Sequence, residues 1–491
     1  MKFGSFSLLW ITGIFLAADS CVFAQEEKTR VSAKPNIVYI LCDDLGYGDV
    51  HCLNPAKGKI ATPHADKLAA QGIIFTEAHS GSSVCTPTRY GILTGRYAWR
   101  TILQAGVLDG DSPPLIARER LTAPALLKQH GYETACIGKW HLGMKLPDAK
   151  NLSDLILDGP VTRGFGYYFG ISASLDMPPF SFIENDRYTE APTAVKQWIR
   201  KGPAAPEFEA VDVLPRLTRK AVEYIARNAA AKKPFFLYLP LASPHTPIVP
   251  TKEWLGKSGI GNFGDFVMQT DWALGQVMEA LDTAGIADNT LLIFTSDNGC
   301  SPAADVKGLE KKGHFPSGDF RGYKSDIWEG GHHIPFIARW PGVTRPGSSC
   351  GRLVCLTDLM ATCAEMLAVK LPDDAGEDSI SILPLLRGKD QSTRESIVHH
   401  SIKGMFALRE AKNKIIFCAG SGGWSGNGPD QSSQQLYDMN ADIGEQNNLQ
   451  GTQQAEVARL TAKMEKIIAD GRSTPGAPQK NDVDVKLQKG K

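Results

Sequence analysis

Nearly continuous apolar runs recur along the chain at residues 35–41, 234–241, 290–295 and 334–340, with weaker strand patterns at 73–78 and 133–137. Runs of this length without polar alternation read as strands buried on both faces, the pattern of parallel α/β sheets. Helical periodicity fills the gaps at 62–71, 122–130, 217–231 and 263–284; Pro63 opens the first helix, Gly72 closes it and Gly131 ends the second. The expectation is an α/β fold: a large mixed, mostly parallel sheet between layers of helices. From residue 391 the strands shorten (397–400, 405–408, 414–418), Gly/Ser-rich turns follow at 419–428, and a helix at 454–469. That predicts a small C-terminal antiparallel α+β domain, docked through Leu436-Tyr437-Asp438 and Asn448-Leu449. The expected divisions are a larger domain at 25–390, the small one at 391–472 and a polar, Lys-rich, flexible tail at 473–491.

Four strands end in polar residues: Asp43/Asp44, Lys139/His141, His245, and Asp297/Asn298. Taken singly, an Asp pair is an ordinary turn, and a lone Lys or His is an ordinary loop residue. Ligands of open α/β sheets bind at the carboxyl ends of strands, so the fourfold repetition marks one pocket. Residues 145–216 are irregular and rich in Pro, Gly and aromatics, which predicts a functional surface. Trp99, Trp140 and Trp254 are candidate platforms for a ring-shaped ligand.

Ser83-Val84-Cys85-Thr86-Pro87-Thr88-Arg89 precedes Leu93-Thr94-Gly95-Arg96. Pro87 suits the first turn of a helix, and Arg89 would then point back along it toward Cys85. The free N–H groups of such a start favour an anion. With 53 basic and 53 acidic residues the chain has no net charge, so an anion must be held by local cations. The balance also gives no reason to expect a nucleic-acid partner.

Lys2, the apolar run 6–18 and Val22-Phe23-Ala24 read as a signal peptide over residues 1–24. The run is too short to span a bilayer and no other stretch is expected to, so the mature protein is exported, periplasmic or secreted. Ala18-Asp19-Ser20-Cys21 leaves a lipoprotein-type leader open. The cysteines show neither zinc spacing nor a dense disulfide pattern, and Asn151-Leu152-Ser153 is the one glycosylation sequon, which favours a bacterial envelope setting.

Asp43, Asp44, Asp297 and Asn298 offer oxygen donors only, which suits Ca²⁺ or Mg²⁺ and, with flexible carboxylates, Ca²⁺ first. Cys85, Arg89, Lys139, His141, His245 and Lys324 complete a set able to neutralise an anionic ester and protonate a departing oxygen. The reaction class is ester transfer at phosphorus or sulfur.

These motifs, with Gly138-Lys139-Trp140-His141, Ser243-Pro244-His245-Thr246-Pro247, Gly322-Tyr323-Lys324 and Glu329-Gly330-Gly331, resemble the type I sulfatases. That is the formylglycine-dependent branch of the alkaline-phosphatase superfamily, including arylsulfatases and N-acetylgalactosamine-6-sulfatases. The resemblance implies that a formylglycine-generating enzyme oxidises Cys85 to Cα-formylglycine. The hydrate also ligates Ca²⁺ beside Asp43, Asp44, Asp297 and Asn298. One hydroxyl attacks sulfur, and His245 with Lys324 protonates the departing alcohol. His141 deprotonates the second hydroxyl to release sulfate, and Arg89 and Lys139 hold the diol. The implied substrate is a sulfated carbohydrate or an aryl sulfate. Two departures stand out: Cys42 replaces a small residue, expected as a tolerated core change, and His332-His333 is expected to bear on substrate preference. The alternatives are a phosphodiesterase or phosphonate hydrolase of the same superfamily, or a sulfated-glycan binder if Cys85 stays a thiol.

Overall fold

The structure is a computed structural model that describes residue 1 and residues 34–487, except 149, 392, 393, 427, 429 and 430. Apart from Met1, the expected leader lies outside the described residues. From Pro35 onward the chain forms one compact unit.

The core strands of a ten-stranded sheet are β1 (Asn36–Asp43), β2 (Glu133–Lys139), β3 (Tyr167–Ile171), β4 (Phe235–Pro244), β5 (Thr290–Ser296) and β6 (Phe336–Arg339). Their spatial order is β6-β5-β1-β4-β2-β3, parallel throughout except for β6, which runs antiparallel to β5. The reason for the unbroken apolar runs is plain at the central β1. Val38, Ile40 and Cys42 enter one core, while Ile37, Tyr39 and Leu41 enter the other. Cys42 is thus a core residue, as expected.

Helices α1 (Pro63–Gln71), α2 (Cys85–Thr94), α3 (Ala123–Gln129), α4 (Val213–Ala231), α5 (Asn262–Thr283) and α6 (Leu359–Met366) cover the sheet. α1, α4 and α5 pack on the first face, and α2, α3 and α6 on the second. α4 starts earlier than its periodicity predicts because Val213 and Leu214 extend the buried stripe. The strand expected at 73–78 is two: Ile73–Phe75 joins the main sheet, while Ala78–His79 pairs with Val354–Cys355. Thr76 and Glu77, polar and only partly buried, separate them.

A second, antiparallel sheet orders β7 (Ser396–His400), β8 (Phe406–Glu410), β9 (Asn413–Ile416) and β10 (Gln435–Asp438) as neighbours, with α7 (Gln454–Ala469) against it. Leu408, Ile415 and Leu436 pack with Tyr97 and Trp99, whereas Ala407, Ile416 and Tyr437 pack with Ile327 and Trp328.

Residues 473–487, expected as part of a flexible tail, run back over the body instead. Asp482 pairs with the Arg96 guanidinium at 3.0 Å, and its N–H donates to Arg100 O at 2.8 Å. Val485 is buried in the cluster that holds Tyr97 and Trp99. The physical cause is two fully buried guanidiniums, which need the acceptors that Lys480 O, Asn481 Oδ1 and Asp482 provide.

Candidate active site

α2 begins at Cys85, capped by the extended Val84, and stops at Gly95, whose φ of 65° only glycine adopts freely. It lies at the carboxyl ends of the parallel strands. Asp43 closes β1, Lys139 closes β2, and Asp297 and Asn298 follow β5. Asp44, His141 and Ser325 have positive φ (68°, 57° and 84°) without being glycine. Such backbone is uncommon and concentrates at functional sites.

Three carboxylates face three cations here, all within the interior. Lys139 Nζ lies 2.7 Å from Asp43 Oδ2, Arg89 Nη2 2.7 Å from Asp297 Oδ2, and Lys324 Nζ 2.6 Å from Asp44 Oδ1. Asn298 Nδ2 donates to Asp44 Oδ1 at 2.8 Å, and Asp44 N–H to Asp297 Oδ1 at 3.2 Å. Burial resists ionisation of Asp43, yet Lys139, His245 and Arg89 hold it well below the usual carboxylate range. Asp297 is pushed up to about 6, because burial and the repelling Asp43 outweigh Arg89. Burial opposes the charge on Lys324, but Asp44 keeps it above the usual lysine range.

The two histidines carry opposite geometry. His141 Nε2–H donates to Leu108 O at 2.7 Å, leaving Nδ1 buried and without a partner. Burial, with Lys139 and Arg89 nearby, pushes this imidazole well below its usual range, so it is neutral with a free lone pair. His245 Nδ1–H donates to Thr246 O at 2.6 Å, which turns Nε2 toward Asp44 Oδ2 at 3.6 Å. Cys85 is 2% exposed, and burial pushes its thiol up despite Lys139 and Lys324. It is therefore not a thiolate.

Asp43, Asp44 and His245 offer donor atoms within 4.8 Å of one another. Asp43 Oδ1 and Asn298 Oδ1 are buried with no hydrogen-bond partner. Unpartnered oxygens beside two further carboxylates fit a hard cation.

The residues expected from the strand ends thus lie in one buried cluster with Arg89 and Lys324, and Lys139, Lys324, Asp43 and Asp297 act on Cys85. The sulfatase family model matches residues 35–369. The chain belongs to the sulfatase family. It is a sulfuric ester hydrolase. This sulfatase is 34% identical to an N-acetylgalactosamine-6-O-sulfatase of Bacteroides thetaiotaomicron over 94% of its own length and 99% of the relative. Human arylsulfatase A is 32% identical over 89% of this chain and 87% of its own. A structure solved in work on glycosaminoglycan metabolism by Bacteroides thetaiotaomicron superposes with a TM-score of 0.81 at 33% identity, covering 89% of this chain and 99% of that one. A protein solved with a neocarrahexaose superposes at 0.70 and 25% identity, covering 88% and 92%.

The aromatic expectation needs correcting. Trp99 and Trp140 are each 1% exposed, held in the core by Tyr97 and Phe406 and by Phe165 respectively, so neither meets a ligand. Trp254 is half-buried beneath Lys257. Trp424 is the exposed tryptophan among the described residues, and its backbone N–H donates to Ser325 Oγ, next to Lys324. His332 and His333 do not touch the pocket either. They are buried with His79, His399 and Glu329 at the junction with the second sheet, where Lys414 Nζ lies 3.0 Å from Glu329 and 2.8 Å from Glu445. All nine cysteines among the described residues are unpaired.

Sequence reasoning missed Asp176, whose Oδ1 lies 3.9 Å from His245 Nδ1, and Arg200, which pairs with Asp176 and Asp109. They sit in the irregular stretch, where no periodicity points to a residue.

Proposed function

We propose that this sulfatase is exported and removes sulfate from a carbohydrate, with 6-O-sulfated N-acetylgalactosamine the first substrate to try. In this reading Cys85 works as Cα-formylglycine, made by a formylglycine-generating enzyme. Asp43, Asp44, Asp297, Asn298 and the modified residue 85 would hold Ca²⁺. Localisation is periplasmic or secreted, and no described helix is long and apolar enough to cross a membrane.

The observation that carries the reading is the placement of Cys85, buried at the start of α2 and next to a cluster of carboxylates and cations in which Asp43 Oδ1 and Asn298 Oδ1 have no hydrogen-bond partner. Burial pushes the Cys85 thiol up, whereas a site built for thiolate chemistry lowers its cysteine's pKa. Hydrated formylglycine supplies a hydroxyl nucleophile and a second hydroxyl whose deprotonation expels sulfate. Ca²⁺ bound there would supply positive charge to offset that of the sulfate ester.

The chain's own groups do the rest. Arg89 and Lys139 offset negative charge at residue 85 while held by Asp297 and Asp43. His141 accepts a proton at Nδ1, the one ring nitrogen not given to Leu108. His245, its Nδ1–H fixed by Thr246 O, presents Nε2 to the leaving oxygen, and Lys324 supports that transfer from Asp44. The relative named for N-acetylgalactosamine 6-sulfate supports the substrate choice.

The test is the mass of the peptide spanning Cys85 from protein made in its native host, with sulfate release from the sugar measured alongside. Loss of the thiol sulfur, together with turnover, supports the reading. An intact thiol in active protein overturns the formylglycine part, and absence of turnover on sulfated sugars overturns the substrate part.

A further inference from the structure

Four histidines meet where the second sheet joins the rest of the molecule. His79 comes from the strand Ala78–His79, His332 from the short helix Glu329–His332, His333 from the residue after it, and His399 from β7. None is more than 1% exposed. The His332 and His399 rings stack at 3.6 Å and 11°, and the His79 ring lies 5.5 Å and 5.2 Å from them. The charges that face this group come from every side. Lys414 Nζ of β9 is 3.0 Å from Glu329 Oε1, 2.8 Å from Glu445 Oε1 and 3.0 Å from His332 Nε2. Arg409 Nη2 of β8 is 2.6 Å from Glu77 Oε2.

The four rings differ in what they can do with a second proton. His333 has an acceptor at each nitrogen, Thr76 O at 2.8 Å and Glu329 Oε2 at 3.1 Å. The others do not. His399 Nδ1–H donates to Ser80 O at 3.1 Å, and its Nε2 is buried with no partner. His332 Nδ1 faces His79 Nδ1 at 3.3 Å, and its Nε2 lies between Ile327 O and the Lys414 ammonium. His79 Nε2 is 3.7 Å from Glu77 Oε2, beyond hydrogen-bond reach. A proton added to the stack would place a second positive charge beside Lys414 in the interior, and burial alone already resists it.

This junction also holds the segment that leads into the catalytic helix. Ser80 N–H donates to His332 O at 2.9 Å, while Ser80 O accepts from His399. Ser83 N–H and Ser82 Oγ both donate to His400 O, at 3.0 Å and 2.8 Å. Ser83 O accepts the N–H of Ser325, the neighbour of Lys324, at 2.8 Å. Val84 and then Cys85 follow directly.

We propose that His79, His332 and His399 form an acid-sensitive clasp: while neutral they hold β7 against residues 80–83, and protonation releases that segment. Neither the formylglycine nor the substrate of the reading above enters. The sign follows from the surroundings. Burial, then His399 and Lys414, keep His332 well below the usual histidine range; burial, then His79 and Lys414, do the same for His399. Burial lowers His79 to about 4 against the pull of Glu329. Once released, each ring returns to about pH 6.5, so the closed clasp is complete above that pH and is lost as pH falls. Each histidine multiplies the open fraction about tenfold per pH unit. Glu445 works the other way: burial, only partly offset by Lys414, pushes it up to about 7, so it keeps its proton when closed and gives it up when open. Glu329 and Glu77 lie below the usual range and stay ionised in both states. Three histidines against one carboxylate leave a net uptake of about two protons on opening.

The experiment is hydrogen exchange of the full-length protein from pH 7.5 to 4.5, read by mass spectrometry and corrected for the intrinsic rate. In the wild type, exchange at residues 80–84 and 396–400 should speed up relative to β1 and β4, approaching a hundredfold per pH unit below pH 6.5, and should recover at pH 7.5. His399→Asn keeps a donor for Ser80 O and takes no proton, so its dependence should be shallower by about tenfold per pH unit. The wild-type arm needs no variant. Protection that holds to pH 5, or that is lost in step with β1 and β4, would overturn the proposal. So would an unchanged pH dependence in a folded His399→Asn.

Discussion

Replacing Asp378 by alanine tests how firmly the segment after the Cys85 helix is held. The carboxylate is fully buried and accepts three hydrogen bonds, from Arg100 Nε, Arg100 Nη2 and Tyr97 N, each at 2.8 Å. Its loss leaves Arg100 with Ile467 O and Asn481 Oδ1 alone. Stranding one partner of a buried pair costs about 3–5 kcal/mol. The orphaned Tyr97 N–H adds about 1 kcal/mol, and partial entry of water subtracts a similar amount. With about 2.1 cal/mol/K of unfolding entropy per residue over roughly 450 residues, a 4 kcal/mol loss lowers Tm by about 4 °C.

Urea unfolding at fixed slope measures the change directly. The pH dependence has a definite sign. Burial raises the Asp378 pKa, but Arg100 outweighs it and the folded value lies below the usual one. The contribution is therefore complete above the unfolded carboxylate pKa, near pH 4, and is lost as pH falls through the folded value. The wild-type-to-variant gap should hold from pH 5 to 8 and shrink below pH 4. Arg100→Met with Asp378→Leu should recover at least half the loss, because an apolar pair strands no charge. A gap under about 1 kcal/mol at pH 7, against the 3–5 expected for a stranded charge, or one that widens in acid, would refute the reasoning.

Three other outcomes follow from the site. Cys85→Ala should abolish sulfate release while leaving the unfolding midpoint within about 1 kcal/mol, as read by sulfate assay and urea titration together. His245→Asn should slow sugar-sulfate hydrolysis by about 10²–10⁴-fold and nitrophenyl-sulfate hydrolysis by less, since the better leaving group needs less protonation; equal losses would count against its acid role. Chelation should lower both activity and Tm, and readded Ca²⁺ should restore both more completely than Zn²⁺, because every donor is oxygen.

The strand ends were legible because two constraints overlap in one string: β1, β4 and β5 are apolar along their length, and their last residues are polar at the point where a parallel sheet presents its ligand. The start of helix α2 was legible from Pro87, whereas its stop at Gly95 emerged only in the structure. What escaped depends on distant partners. Trp99 gives no sign in sequence of Phe406, which packs edge-on against it. The tail reads as polar because nothing near it shows that Arg96 and Arg100 await its oxygens. His332 and His333 looked like pocket residues by their position after Gly331, yet their neighbours His79, His399 and Lys414 come from other strands and turn them inward. Asp176 lies in a loop whose only regularity is in space.

The docked tail bears on how the protein can be made. Arg96 is held by an acceptor 386 residues later in the chain, and Cys85, one helix before it, is nearly sealed once folding is done. On the proposal that Cys85 becomes formylglycine, the modifying enzyme would have to act while the chain is still open, before residues 473–487 dock beside that helix. On the same proposal, treating purified, folded protein would come too late, and recombinant production would call for the maturation enzyme in the same cell at the moment of synthesis.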